Sequence, residues 1–136
     1  MEHSDYGALL LDTHIFLWLL AGDEQLRSTG FVTGIEAASE EGQLRLSVMS
    51  IWEITALERN GRVGLAVPLD DFLKRAVETP GLAVVPLEAD IAAEAARLPG
   101  ELDGDFADRV LAATARLRAF TLVSADPRFA SYRDQG

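Results

Sequence analysis

Five carboxylates lie in stretches where solubility gives no reason for them. Asp12 interrupts LLLDTHIFLWLL, the most apolar run of the chain, and Glu53 stands between Trp52 and Ile54 in SVMSIWEITALERNG. Asp105 and Asp108 fall in GDFADRVLAATA, and Asp126 in TLVSADPRF. A carboxylate withdrawn from water is costly unless it is hydrogen-bonded, paired with a charge or bound to a metal. Carboxylates in a chain without cysteine suit a hard divalent cation, Mg²⁺ or Mn²⁺, rather than zinc. Such an ion can orient and deprotonate a water for attack on phosphorus. Each acid also has a purely structural reading. Asp12, Asp105 and Asp126 can cap helices, Asp126 with Pro127 at the first helical position. Ser50-Ile-Trp-Glu53 matches a capping box. Caps alone, however, do not require acids to gather in one place, and gathered carboxylates repel each other.

The elements between the acids decide whether they gather. Four short apolar, β-rich segments, Ala8–Leu11, Leu44–Val48, Leu82–Pro86 and Phe120–Ser124, predict strands. Helical composition or periodicity predicts helices over Thr13–Leu20, Gly30–Glu41, Ser50–Asn60, Leu69–Glu78, Glu88–Leu98 and Asp105–Arg118. Gly42, Asn60-Gly61, Pro80-Gly81 and Pro99-Gly100 supply the stops. Strands alternating with helices predict an α/β sandwich: a central, mainly parallel sheet of about four strands flanked by helices. In such sheets ligands bind beyond the carboxyl ends of the strands, near the switch in strand order. Asp12 follows the first strand and Asp126 ends the fourth. Glu53 enters the helix after the second, and Asp105 and Asp108 share one face of the sixth helix.

The totals set the remaining bounds. With 136 residues, 49% apolar and 25% charged, the chain reads as one domain, 1–136, able to bury a core. The polar, acidic start MEHSDYG is unlike a signal peptide, and Ala8–Leu20 is too short to span a bilayer, so a cytoplasmic protein without membrane attachment is expected. The formal charge of -10, on its own, argues against nucleic acid as a partner and suits a divalent-cation site, a basic partner or simple solubility. Twelve basic residues are present, of which Lys74 is the only lysine.

The blocks LLLDTHIFLWLL, LSVMSIWEITALERNGRVGL, LPGELDGDFADRVLAATA and LVSADPRFASY, in this order and spacing, resemble the PIN domain, specifically the VapC-type toxins of type II toxin–antitoxin systems. The resemblance runs from about Ala8 to Tyr132. It implies a PIN-like fold and a Mg²⁺- or Mn²⁺-dependent ribonuclease held inactive by a cognate, VapB-like antitoxin. Asp12, Glu53, Asp108 and Asp126 match the family's catalytic and metal-binding acids. Asp105 matches an additional metal-binding acid of a subgroup whose motif has proline where this chain has Phe106. Ser124 stands where the family often has threonine, a hydroxyl able to bond a metal-bound water.

Around this set, Thr13 is expected to support the site through its hydroxyl, and His14 to contact RNA, to assist protonation of a leaving group or simply to hydrogen-bond. Arg109, Arg116 and Arg128 are candidates for phosphate contact or for ion pairs with neighbouring acids. Phe16, Trp18 and Trp52 are expected in the core. A local basic rim and the metal's own charge reconcile an RNA substrate with an acidic chain. A homodimer is expected through helices away from the acids, with Phe31/Ile35 or Phe72/Val77 as candidate faces. Two other aspartate-based functions fit less well. A dehalogenase-like phosphatase wants a second aspartate at position 14, where His14 stands, and a receiver domain wants a lysine after a late strand. The remaining alternative is a catalytically silent PIN-like scaffold that binds RNA or protein.

Overall fold

The computed structural model describes residues 7–99 and 106–126. Its strands are β1 (Leu9–Leu11), β2 (Leu44–Ser47), β3 (Leu82–Val85) and β4 (Thr121–Val123). Its helices are α1 (Thr13–Ala21), α2 (Glu24–Thr29), α3 (Val32–Glu40), α4 (Val48–Arg59), α5 (Leu69–Val77), α6 (Ala89–Arg97) and α7 (Phe106–Arg118). The four strands form one entirely parallel sheet in the order β3-β2-β1-β4. Parallel neighbours need crossover connections, and the intervening helices provide them.

Alternation along the strands builds two cores, one on each face. Leu9, Leu11, Leu44, Leu46, Leu82 and Val123 face a cluster with Ile15, Phe16, Leu26, Ile35, Ile54 and Phe72 from α1 to α5. Ala8, Leu10, Val85 and Leu122 face a second cluster with Ile91 and Ala95 of α6 and Val110, Leu111 and Ala113 of α7. Each fully buried Leu, Ile or Phe side chain contributes roughly 1.5–3 kcal/mol. Arg45 of β2 is buried too. Its guanidinium lies 5.9 Å from the centre of the Phe120 ring and donates to the Gly42 and Leu44 carbonyls. On the second face, Arg118 at the end of α7 bonds Asp90 and Glu88 at the start of α6, clasping the two helices.

The four expected strands and six expected helices are present within a residue or two at each described end. Helix α2 is an addition. Its six residues, EQLRST, bury only Leu26, too little for a periodic pattern, but Asp23 caps it by accepting from Gln25 N. Helix α4 begins two residues earlier than expected, at Val48, because Ser47 is its cap and accepts from Met49 N. The Ser50–Glu53 capping box is therefore not formed. Trp52 is also a correction: it is 62% exposed rather than in the core, while Phe16 is buried and Trp18 packs partly against the first cluster. Neither proposed dimer face is a free apolar stripe, since Ile35 and Phe72 are core residues.

Candidate active site at the strand-order switch

The chain runs from β1 outward through β2 to β3, then returns to place β4 on the other side of β1. The order thus reverses between β1 and β4, where a crevice opens beyond the strand ends. Asp12 leaves β1 at this crevice and Ser124 leaves β4 beside it. Ser124 Oγ donates to Asp12 Oδ2 at 2.7 Å, joining residues 112 positions apart. The same oxygen accepts from Asp126 N at 3.0 Å, which folds the turn after β4 and brings Asp126 to the site.

Asp12 also caps α1. Its extended backbone turns the chain, and Oδ1 accepts from Thr13 N at 2.7 Å. The cap reading and the site reading are therefore both true of this residue. Asp12 is buried, and burial pushes its carboxyl above the usual carboxylate range, against the opposing hydrogen bonds from Ser124 and Thr13. The charge of Asp126 pushes it further up, while His14, exposed on the next turn of chain, pulls it down. A like charge beside a buried carboxylate is the situation that a cation relieves.

Glu53 reaches the site from α4. Thr13 Oγ1 donates to Glu53 Oε1 at 2.6 Å and lies 2.9 Å from Ser50 Oγ. Thr13 has one hydroxyl proton and a carboxylate only accepts, so that proton goes to Glu53 and the Ser50 hydroxyl donates to Thr13. Ser50 and Glu53, three residues apart, share the face of α4 turned toward α1. The sequence reads Ser50 as a cap; the same three-residue spacing from Glu53 carries the signal for its contact with Thr13. Asp108, third residue of α7, is 5% exposed and lies in the helix's first turn, where the positive end of the helix favours an anion.

The remaining candidates divide. His14 is exposed, its ring 6.4 Å from that of Trp18. Arg109 donates through Nε and Nη2 to the carbonyls of Ala95 and Leu98, holding the end of α6 at 2.9 and 2.7 Å. Arg116 pairs with Glu94. Asp105 and Arg128 lie outside the described residues.

The donor set consists of carboxylate oxygens with hydroxyls behind them, which fits a hard cation. Among the described residues no three acids or histidines converge closely enough to cage an ion. Mg²⁺ does not need a cage: it binds through one or two carboxylates and keeps several waters. Asp12 with Asp126 beside it meets that requirement in type and charge.

Known proteins resemble the chain in sequence and in fold. The PIN domain family profile matches residues 9–135. Ribonuclease VapC22 of Mycobacterium tuberculosis is 34% identical over 125 residues, 92% of either chain. A solved toxin-antitoxin complex from Klebsiella pneumoniae aligns with a TM-score of 0.62 at 20% identity, over 90% of this chain and 91% of that one. At that identity the likeness is one of fold.

Proposed function

The chain belongs to the PIN-domain family, and from that premise we propose that it is a metal-dependent endoribonuclease acting as the toxin of a toxin–antitoxin pair. The observation that carries the reading is the Asp12–Ser124 bond at the strand-order switch, with the charge of Asp126 beside it. Asp12, Asp126, Asp108 and Glu53 are the proposed catalytic and metal-holding acids, with Asp105 as an additional ligand. A divalent cation bound there supplies positive charge toward phosphate and makes a water more acidic.

The chain's own residues do the positioning. Asp12 is held by two hydrogen bonds, one to each oxygen, and remains able to accept more through its other lone pairs. Glu53 is fixed through Thr13, and Asp108 sits on a packed helix rather than a loop. Such prior placement spares the reaction the cost of reorganising charged groups as the phosphodiester opens. RNA is the proposed substrate, with the exposed His14 and, by its position in the sequence, Arg128 as proposed phosphate contacts. A basic, VapB-like antitoxin is the proposed inhibitor of this acidic chain, and a homodimer the proposed assembly.

The test is cleavage of single-stranded RNA by the purified protein with Mg²⁺ or Mn²⁺, against an EDTA control. Expression alone should arrest growth, and co-expression of a small basic protein encoded beside it should relieve the arrest. RNA binding without cleavage in either metal would leave only the scaffold reading.

A further inference from the structure

Ser50 and Thr13 form a hydroxyl pair that links α4 to α1. Thr55 and Thr114 bond back to carbonyls four residues earlier on their own helices, the ordinary resort of a buried helical hydroxyl. Ser50, 1% exposed, instead reaches across to α1 and meets Thr13 Oγ1, itself 1% exposed. Thr13 then donates to Glu53, one helical turn beyond Ser50 on the same element. The two helices are thus stitched by a relay that starts and ends on α4 and passes through α1. Cap formation does not explain it, because Ser47 already caps α4.

We propose that Ser50 is a positioning residue for Glu53. Its hydroxyl donates to Thr13 and so holds the Thr13 proton on the Glu53 carboxylate. The inference rests on the reading of Glu53 as a site acid and assigns what orients it. Without Ser50, Thr13 Oγ1 loses its donor while remaining buried, and its hydroxyl is free to turn toward another acceptor. Donation into a hydroxyl also strengthens the bond that hydroxyl makes. Loss of Ser50 therefore loosens Glu53 without removing it. Small displacements of a reacting constellation cost rate more than binding.

The experiment measures kcat and KM for single-stranded RNA at saturating Mg²⁺ in Ser50→Ala, Thr13→Val, the double variant and Glu53→Gln. Ser50→Ala should lower kcat about 5–10-fold with KM within about twofold, an effect on rate rather than binding. The double variant should be no slower than Thr13→Val, since the relay is already cut. Unchanged kcat in Ser50→Ala, or losses that multiply in the double variant, would overturn the proposal. Glu53→Gln separates the two failures. If it cleaves like the parent, the site reading itself fails; if it is inactive while Ser50→Ala is unaffected, only the role of Ser50 falls. Should Ser50→Ala not fold, Ser50→Cys keeps the shape with a weaker donor. Parent-like kcat in that variant overturns the proposal, and an intermediate loss supports it.

Discussion

Ser124 and Asp12 are hydrogen-bonded at 2.7 Å across the only reversal of strand order in the described sheet, so the last described strand holds the first acid in place. The bond also partly offsets the burial of Asp12, which the surrounding structure makes expensive.

That expense predicts a pH-dependent stability. The folded protein holds the Asp12 proton more tightly than the unfolded chain does, so ionising Asp12 costs stability as pH rises out of the ordinary carboxylate range. Asp12→Asn keeps the cap, its amide oxygen accepting from Thr13, and removes the buried charge. In EDTA the variant should melt above the parent at neutral pH. The two should converge in acid, where Asp12 is protonated in both folded and unfolded parent. A variant that melts below the parent at neutral pH would show that Asp12 is a structural carboxylate.

Metal should stabilise the parent and not the site variants. At 100 times the dissociation constant, binding adds about 2.7 kcal/mol. Mg²⁺ should therefore raise the melting temperature at fixed ionic strength. Asp12→Asn, Asp108→Asn and Asp126→Asn should lose most of that rise and roughly a hundredfold or more of ribonuclease activity. An equal rise with matched NaCl would indicate general screening only.

Arg118 gives a pH dependence of opposite sign. It bonds Asp90 and holds that carboxyl below the usual range. The contribution is present at neutral pH and disappears as acid protonates Asp90 through its lowered pKa. Arg118→Met should lower the melting temperature modestly at pH 7, because Asp90 and Glu88 are largely exposed. The difference should vanish at low pH; a deficit independent of pH would assign the loss to packing alone.

Arg109 should matter for folding before it matters for RNA. Hydrogen bonds from a charged donor contribute about 1.5–3 kcal/mol, and Arg109 makes two to the end of α6. Arg109→Ala should cost about 2–3 kcal/mol in urea denaturation. The affinity of the folded fraction for RNA should be unchanged. Weakened binding at full stability would instead support a phosphate contact.

Gly81, in the turn between α5 and β3, has φ +78, and a Cβ there would run into the backbone of Ser39 at the end of α3. Its carbonyl accepts from Leu44 N, so the turn also sets the register of β2 against β3. Gly81→Ala should cost at least about 2 kcal/mol from the left-handed conformation and the overlap. Gly34, with open space around its Cβ position and an ordinary helical backbone, is the control and should accept alanine without loss.

The strands, and the position of Asp12 and Ser124 just past two of them, were legible because the β-rich apolar segments stop there. Three features were not. Ser47 and Ser50 are equivalent as caps by residue type, and only the end of β2 decides between them. Trp52 lies between Ile51 and Ile54, so apolar residues occur nearly all round α4; Ser50 and Ile54 turn inward, which turns Trp52 out. Arg109 carries no sequence mark for two backbone carbonyls more than ten residues earlier, a partnership that exists only once α6 lies against α7.

The separation of 112 residues between Ser124 and Asp12 has a consequence during synthesis. On the ribosome β1, with Asp12 behind it, is made early, while its neighbour β4 is made only after every helix of the described fold. A nascent chain that has reached α6 already contains Asp12, Thr13, Ser50 and Glu53, yet it lacks Asp108, Ser124 and Asp126. No partial chain of that length can assemble the proposed centre. The proposed centre is therefore completed only after α7 and β4 have been made.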